Sequence, residues 1–92
     1  EDYDCAIQEL RAQGKSAFET YDELTVKDIQ DATDAFMPVY RSTKGLDGYV
    51  SLEVNPKLAH DTERTIKEGT RLHKKVDRPN LMLKIPATRE GF

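Results

Sequence analysis

Residues 80–88 read Asn-Leu-Met-Leu-Lys-Ile-Pro-Ala-Thr, an apolar pattern that carries one lysine and stops at a proline. This pattern predicts a short buried strand. A lysine is rarely fully buried unless something compensates its charge, so Lys84 is a candidate functional residue. The alternative is that Lys84 lies at a sheet edge, where lysine discourages pairing with other chains. The strand that precedes it in the chain bears on this choice.

A second strand is predicted over residues 49–54, Tyr-Val-Ser-Leu-Glu-Val, because β-branched and aromatic residues are frequent in strands. Between the two strands we expect one helix, with Asn55 as its N-cap, Pro56 at its first position and its last turn near Val76. Its inward stripe consists of Leu58, Ala59, Thr62, Ile66, Gly69, Leu72 and Val76. A crossover of this length joins parallel strands, so the two strands should be neighbours in a parallel sheet.

The first part of the chain is predicted to be helical. Residues 2–13 form one amphipathic helix, and Gly14 stands where a glycine commonly follows a helix. A capping box at Ser16 predicts a second helix over residues 17–24. A further start signal at Thr25 predicts a third helix that extends to about residue 40, which Pro38 should bend or loosen. The chain thus divides into a helical stretch, residues 1–44, and a strand–helix–strand unit, residues 45–92.

The alternation of side chains separates the charged residues from the aliphatic ones in both strands. Glu53 shares a face with Ser51 on the first strand, and Lys84 shares a face with Met82 on the second. A covering helix would pack on the opposite, aliphatic faces. In a barrel the charged faces would point inward, and both charged residues lie toward the carboxyl ends of their strands, where (β/α)8 active sites are found. We therefore predict an α/β fold that is part of a (β/α)8 TIM barrel, with two parallel strands and about four helices.

Two interpretations of Glu53 and Lys84 remain. One is a buried ion pair that holds the sheet in register, but such pairs rarely stabilise a protein more than apolar residues would. The other is catalysis, in which Lys84 forms a Schiff base with a carbonyl substrate. A lysine is nucleophilic only after it loses its proton, and apolar surroundings lower its pKa from about 10.4 toward about 7–8. Glu53 would carry protons through a water molecule, which predicts a covalent, aldol-type enzyme.

The composition limits the function classes. With 37% hydrophobic and 34% charged residues in a chain of 92, we expect one globular unit. The net charge of −3 provides no basic surface for nucleic acid, and no apolar run approaches the roughly 20 residues of a membrane span. Cys5 is the only cysteine, which excludes an internal disulfide and a cysteine-based zinc site and favours a reducing, cytoplasmic setting.

Histidine and charged side chains of the long helix are expected at the surface. His60 and His73 are 13 positions apart, too far to share a metal ion. Acidic and basic residues alternate along this helix and predict a solvated face: Asp61, Glu63, Lys67, Glu68, Arg71, Lys74 and Lys75. The chain has no initiator methionine and ends at Phe92, directly after Gly91, so we expect a segment of a longer protein.

Two blocks, residues 47–56 and 78–91, closely resemble the transaldolase family. The first reads Asp-Gly-Tyr-Val-Ser-Leu-Glu-Val-Asn-Pro, and the second reads Arg-Pro-Asn-Leu-Met-Leu-Lys-Ile-Pro-Ala-Thr-Arg-Glu-Gly. They look like the third and fourth strands of the family's barrel, and residues 24–29 are similar to the segment before the third strand. The resemblance implies that Lys84 forms the Schiff base with a ketose donor and that Glu53 works with a water in proton transfer. It also places Ser51 and Thr88 in the substrate pocket, although a turn hydroxyl is an open alternative for Thr88.

By this resemblance the activity is a transferase reaction of the pentose phosphate pathway, the transfer of a dihydroxyacetone unit from sedoheptulose 7-phosphate to glyceraldehyde 3-phosphate. The partners are sugar phosphates, and neither a metal nor an organic cofactor is needed because the lysine is the electron sink. A complete barrel takes about 250 residues, so the 92-residue piece alone should be inactive. Two rival hypotheses are a lyase similar to fructose 6-phosphate aldolase, and a non-catalytic fragment that forms homo-oligomers or domain-swapped assemblies through its uncovered sheet.

Overall fold

The strand–helix–strand unit forms as the alternation of side chains predicts. In the computed structural model, which describes residues 1–92, strand β1 spans Val50–Glu53 and strand β2 spans Leu81–Lys84. The two strands pair in parallel, with Val50 opposite Leu81 and Glu53 opposite Lys84. Together with three α-helices they form a mixed α/β fold, consistent with part of a (β/α)8 barrel.

The three α-helices are α1, Asp4–Ala12, α2, Ala17–Ser42, and α3, Thr62–Val76. The core lies between the aliphatic face of the sheet and the helices α2 and α3. Its buried members are Val26, Val54, Leu72, Val76 and Leu81, with Ile29, Leu52 and Leu83 packed against them. No helix combines the length and the apolar character needed to cross a membrane.

The first part of the chain contains two helices before β1, where the sequence predicted three. The capping box at Ser16 is present, but the helix that it starts continues through Thr25 and through Pro38 to Ser42. The prediction of a new start at Thr25 is wrong because an N-cap needs a non-helical backbone, and the residues before Thr25 include no glycine or proline that would break the helix. The predicted end of α1 is confirmed, since Gly14 adopts a φ of +77° and its N–H donates to the carbonyl of Arg11.

The predicted single helix between the strands is interrupted near its start. Asn55 caps only a short 3-10 turn, Pro56–Leu58, and Asp61 caps α3, its side chain accepting a hydrogen bond from the N–H of Arg64. The predicted last residue, Val76, is confirmed. Thr62 and Ile66 were expected to face inward, but both residues are exposed, Ile66 to 62%. The buried residues of α3 form a different stripe, Thr65, Gly69, Leu72 and Val76. Ile66 follows Thr65 directly, so its side chain points away from this stripe.

The amino ends of both strands are held against α2. Gly48, with a φ of +86°, lies so close to the helix that a Cβ there would stand 2.4 Å from the backbone nitrogen of Tyr40. Asn80 is fully buried, and its amide nitrogen donates to the carbonyls of Thr33 and Gly48, at 2.8 and 2.9 Å. One side chain therefore joins α2, the start of β1 and the start of β2.

Candidate functional site

The structure brings Glu53 and Lys84 together at the carboxyl end of the sheet. They are the last residues of their strands and stand opposite one another in the register. The Lys84 Nζ donates a hydrogen bond to the Glu53 Oε1 at 2.5 Å. This hydrogen bond and the lysine charge hold the pKa of the Glu53 carboxyl below its usual value. The sequence prediction that the two charged residues share a face and an end of the sheet agrees with this placement.

The prediction of a buried strand around Lys84 is correct for one face only. Leu81 is buried and Leu83 is half-buried, whereas the opposite face is open. On that open face the Lys84 side chain is 63% exposed and the Glu53 side chain is 69% exposed. A buried ion pair is therefore not what this chain forms, because α3 covers only the aliphatic face of the sheet.

The pair lines a cleft of ≈ 270 Å³. The other residues of its wall follow the two strands directly: Val54, Pro56, Ile85 and Pro86. A carboxylate and an amine in one cleft, with apolar groups beside them, can bind a polar carbonyl compound and move a proton between two of its atoms.

Ser51 and Thr88 have different surroundings. Ser51 is exposed on the same face of β1 as Glu53, two residues earlier. The Thr88 hydroxyl is engaged within the loops, because it donates to the carbonyl of Ala59 and accepts from the N–H of Gly91 at 3.1 Å. These contacts agree with the alternative that Thr88 is a turn hydroxyl. Its place in a substrate pocket stays a prediction.

Two further contacts between the loops after β1 and β2 were not predicted from the sequence. The Thr62 hydroxyl donates to the carbonyl of Glu90 at 2.8 Å. The Glu90 carboxylate lies 3.1 Å from the Nδ1 of His60, and this contact lowers the pKa of Glu90. His60 is exposed, as expected for a residue of the barrel surface. No local pattern could reveal these contacts, because Thr62 and Glu90 are 28 positions apart.

The solvated face predicted for the long helix is wrong for three of its residues, Glu68, Arg71 and Lys75. Arg71 and Lys75 both donate to the carboxylate of Asp22 on α2, whose side chain is only 10% exposed. Glu68 also accepts from Arg71, and Glu23 accepts from Lys75. Asp22 could have indicated this cluster of ion pairs, because it lies four positions before the buried Val26 and therefore on the inward side of α2.

The remaining candidates carry no additional site. His73 and Cys5 are exposed. No group of three or more His, Cys, Asp or Glu side chains is arranged to hold a metal ion.

Comparisons with known proteins point to the same family along the whole chain. The family described as Transaldolase/Fructose-6-phosphate aldolase matches residues 1–92. A transaldolase of Saccharopolyspora erythraea is 57% identical over 91 residues, which cover 99% of this chain and 24% of the relative. A transaldolase of Trichodesmium erythraeum is 54% identical over 90 residues, which cover 98% of this chain and 24% of that protein. The chain thus spans 24% of the length of these relatives, and it belongs to the transaldolase/fructose-6-phosphate aldolase family.

Proposed function

We propose that this chain supplies the Schiff-base lysine and its proton-transfer partner to a transaldolase. Lys84 is the nucleophile, Glu53 moves protons through a water molecule, and Ser51 contributes a hydroxyl to the substrate pocket. The observation that carries the proposal is the hydrogen bond of 2.5 Å between Lys84 and Glu53 at the carboxyl end of two parallel strands. Relatives named transaldolase, 51–57% identical to this chain, support the same reaction class.

The proposed reaction begins with attack of the Lys84 amine on the ketone carbon of a sugar phosphate. Loss of water from the adduct gives an iminium ion, and both steps require protons to be moved near the nitrogen. A positioned acid or base must lie within hydrogen-bond reach, at most about 3.2 Å, or one water molecule away from the group that it serves. Glu53 satisfies this requirement toward Lys84.

Carbon–carbon cleavage then follows from the iminium ion. Its positive nitrogen accepts the bonding electrons as the aldehyde product leaves, and a three-carbon enamine stays attached to the lysine. The enamine attacks the aldehyde carbon of glyceraldehyde 3-phosphate, and hydrolysis releases fructose 6-phosphate and the free amine. The donor is sedoheptulose 7-phosphate, and the whole reaction is a step of the pentose phosphate pathway.

The exposure of the site bears on where the reaction can occur. Water stabilises the charged forms of both Glu53 and Lys84, and their side chains are 69% and 63% exposed. A neutral amine is favoured once water is excluded from the pair. The sheet has two strands, whereas a complete barrel takes eight strands and about 250 residues. We therefore propose that residues 1–92 by themselves are inactive and act as part of a complete barrel.

Borohydride trapping tests the role of Lys84. The whole natural protein, with residues 1–92 as numbered here, is incubated with fructose 6-phosphate, reduced, digested and mapped by mass spectrometry. We expect a three-carbon adduct on Lys84, which requires both the Schiff base and cleavage of the sugar. The adduct should be absent from Lys84→Arg and present in the control Lys57→Arg, which changes another exposed lysine near the cleft. An unmodified Lys84 in the folded protein would contradict the proposal.

Two further assays separate the alternatives. A transaldolase passes its three-carbon unit to an acceptor, whereas an aldolase releases free dihydroxyacetone without one, so the dependence on glyceraldehyde 3-phosphate distinguishes them.

Glu53→Gln should lower kcat by roughly 10²- to 10⁴-fold if Glu53 moves a proton in the transition state. Residues 1–92 alone should show no turnover, and ordinary turnover by this chain would contradict the requirement for a complete barrel.

A further inference from the structure

The loops that follow β1 and β2 are tied together by hydrogen bonds in both directions. Thr88, in the loop after β2, donates its hydroxyl proton to the carbonyl of Ala59, in the loop after β1. Thr62, at the first position of α3, donates in return to the carbonyl of Glu90 at 2.8 Å. We call these two hydrogen bonds the loop clasp. Because each bond joins a short side chain to a backbone carbonyl, the first holds the two loops together and the second holds the loop after β2 to the start of α3.

The loop clasp lies just beyond the last hydrogen bond of the sheet. That bond runs from the N–H of Val54 to the carbonyl of Lys84 at 3.2 Å. Glu53 and Lys84 form the last of four residue pairs in the ladder, and the clasp joins the segments that follow them. A pair of short parallel strands is marginal by itself, so the end of the ladder needs support from outside the sheet.

The hydrogen bond between Glu53 and Lys84 does not provide that support. Both side chains are mostly exposed, and exposed ion pairs between flexible side chains contribute little because solvent and salt screen them. The backbone positions of the two residues must be fixed by other contacts.

The loop after β2 transmits the position of Thr88 to Lys84 because it is tightly folded. The N–H of Gly91 donates to both the carbonyl and the hydroxyl of Thr88, each at 3.1 Å. The turn is so close that a Cβ on Gly91 would lie 2.1 Å from the carbonyl oxygen of Pro86. Pro86 follows Lys84 by two residues, so a shift of Thr88 displaces the end of β2 as well.

We propose that Thr62 and Thr88 are positioning residues, which hold the carboxylate of Glu53 and the amine of Lys84 at proton-transfer distance through the loop clasp. This inference rests on the proposed function of the pair. Thr88 acts from the loop that follows the nucleophile, and Thr62 acts from the helix that follows the proton carrier. A misplacement of a catalytic group by about 1 Å lowers a rate by about 100-fold, so the rate depends on these two hydroxyls.

The test replaces each hydroxyl in the whole natural protein by a methyl group of the same shape. Thr62→Val and Thr88→Val remove the hydrogen bonds, and Thr62→Ser and Thr88→Ser retain them. The matched control is Thr70→Val, since Thr70 lies exposed on the same helix α3 and its hydroxyl only donates to the carbonyl of Ile66 within the helix. For each variant, kcat and KM are measured, and kcat is divided by the fraction of folded protein, which circular dichroism gives.

We expect each valine variant to lower this normalised kcat by roughly 10- to 100-fold, with KM changed by no more than about twofold. The serine variants and Thr70→Val should stay within about threefold of the natural protein. The acidic limb of the pH profile of kcat/KM should move to higher pH in the valine variants, because the hydrogen bond from Lys84 that lowers the pKa of Glu53 is weakened. A purely structural role would lower the melting temperature without changing the normalised kcat or the pH profile.

The outcomes separate the inference from the function on which it rests. A three-carbon adduct on Lys84 together with an unchanged normalised kcat in both valine variants would overturn the positioning role alone. The absence of any adduct on Lys84 in the natural protein would overturn the proposed function and the positioning role with it. If Thr88→Val does not fold, Thr62→Val decides the question, because Thr62 is exposed at a helix start and tolerates a methyl group there.

Discussion

Replacement of Asp22 by asparagine should lower the free energy of unfolding at neutral pH, and the loss should disappear in acid. Asp22 accepts two hydrogen bonds from the guanidinium of Arg71, at 2.9 and 2.6 Å, and one from Lys75 at 2.6 Å. Hydrogen bonding to Arg71 is the main cause of the lowered pKa of Asp22. Partial burial of the carboxylate opposes this shift, and the hydrogen bond from Lys75 adds to it. Asparagine keeps the size of the side chain and removes its charge, so the packing between α2 and α3 is preserved.

The magnitude follows from the pKa of Asp22, which falls from 3.8 to about 2 in the folded protein. One pH unit corresponds to about 1.36 kcal/mol, so the paired carboxylate contributes about 2 kcal/mol to stability. This is an upper value, because the side chain of Arg71 is 38% exposed and solvent screens part of the interaction. Since the folded pKa is lower than the unfolded one, the contribution is complete above about pH 4 and is lost as the pH falls through about 2.

Urea unfolding followed by circular dichroism at pH 7, 4 and 2 measures the effect. The free energy of unfolding of the natural protein should exceed that of Asp22→Asn by up to about 2 kcal/mol at pH 7 and by little at pH 2. Asp34→Asn is the matched control, because Asp34 also binds an arginine through two oxygens but is 53% exposed. Its effect should be smaller than that of Asp22→Asn. An equal loss at all three pH values would refute the electrostatic explanation, and an equal loss for Asp34→Asn would refute the role of burial.

Three further substitutions test the fold around the site, each by urea unfolding against the natural protein. Ser16→Ala removes the cap of α2 and should cost about 1 kcal/mol, whereas an unchanged stability would show that the helix does not need its cap. Gly48→Ala places a methyl group against the backbone of Tyr40 at a positive φ and should cost at least about 2 kcal/mol; a neutral result would contradict the close approach seen there. Asn80→Ala removes buried hydrogen bonds to the carbonyls of Thr33 and Gly48 and should cost about 2–4 kcal/mol, and a loss below about 1 kcal/mol would contradict their contribution.

The helices show which helix boundaries can be predicted from local sequence patterns and which cannot. The cap at Ser16 and the end of α1 at Gly14 could be predicted, because both depend on hydrogen bonds within a few residues. The uninterrupted course of α2 through Thr25 could not be predicted from a start signal alone. A helix continues wherever its backbone bonds are kept and its stripe is buried, and the burial of Val26 beside β1 is a tertiary contact.

Both strands, their parallel pairing and the approach of Glu53 to Lys84 could be predicted from local patterns of residues. Side-chain alternation and the length of the crossover are properties of the local chain, and they leave few ways to arrange two strands. Three sets of contacts could not be predicted in this way. Asp22 meets Arg71, 49 positions away, Asn80 joins three elements, and Thr62 and Thr88 tie together the segments that follow the two strands. These contacts depend on how α2 and α3 pack on the sheet, and packing between elements distant in sequence leaves no periodic signal within any one of them.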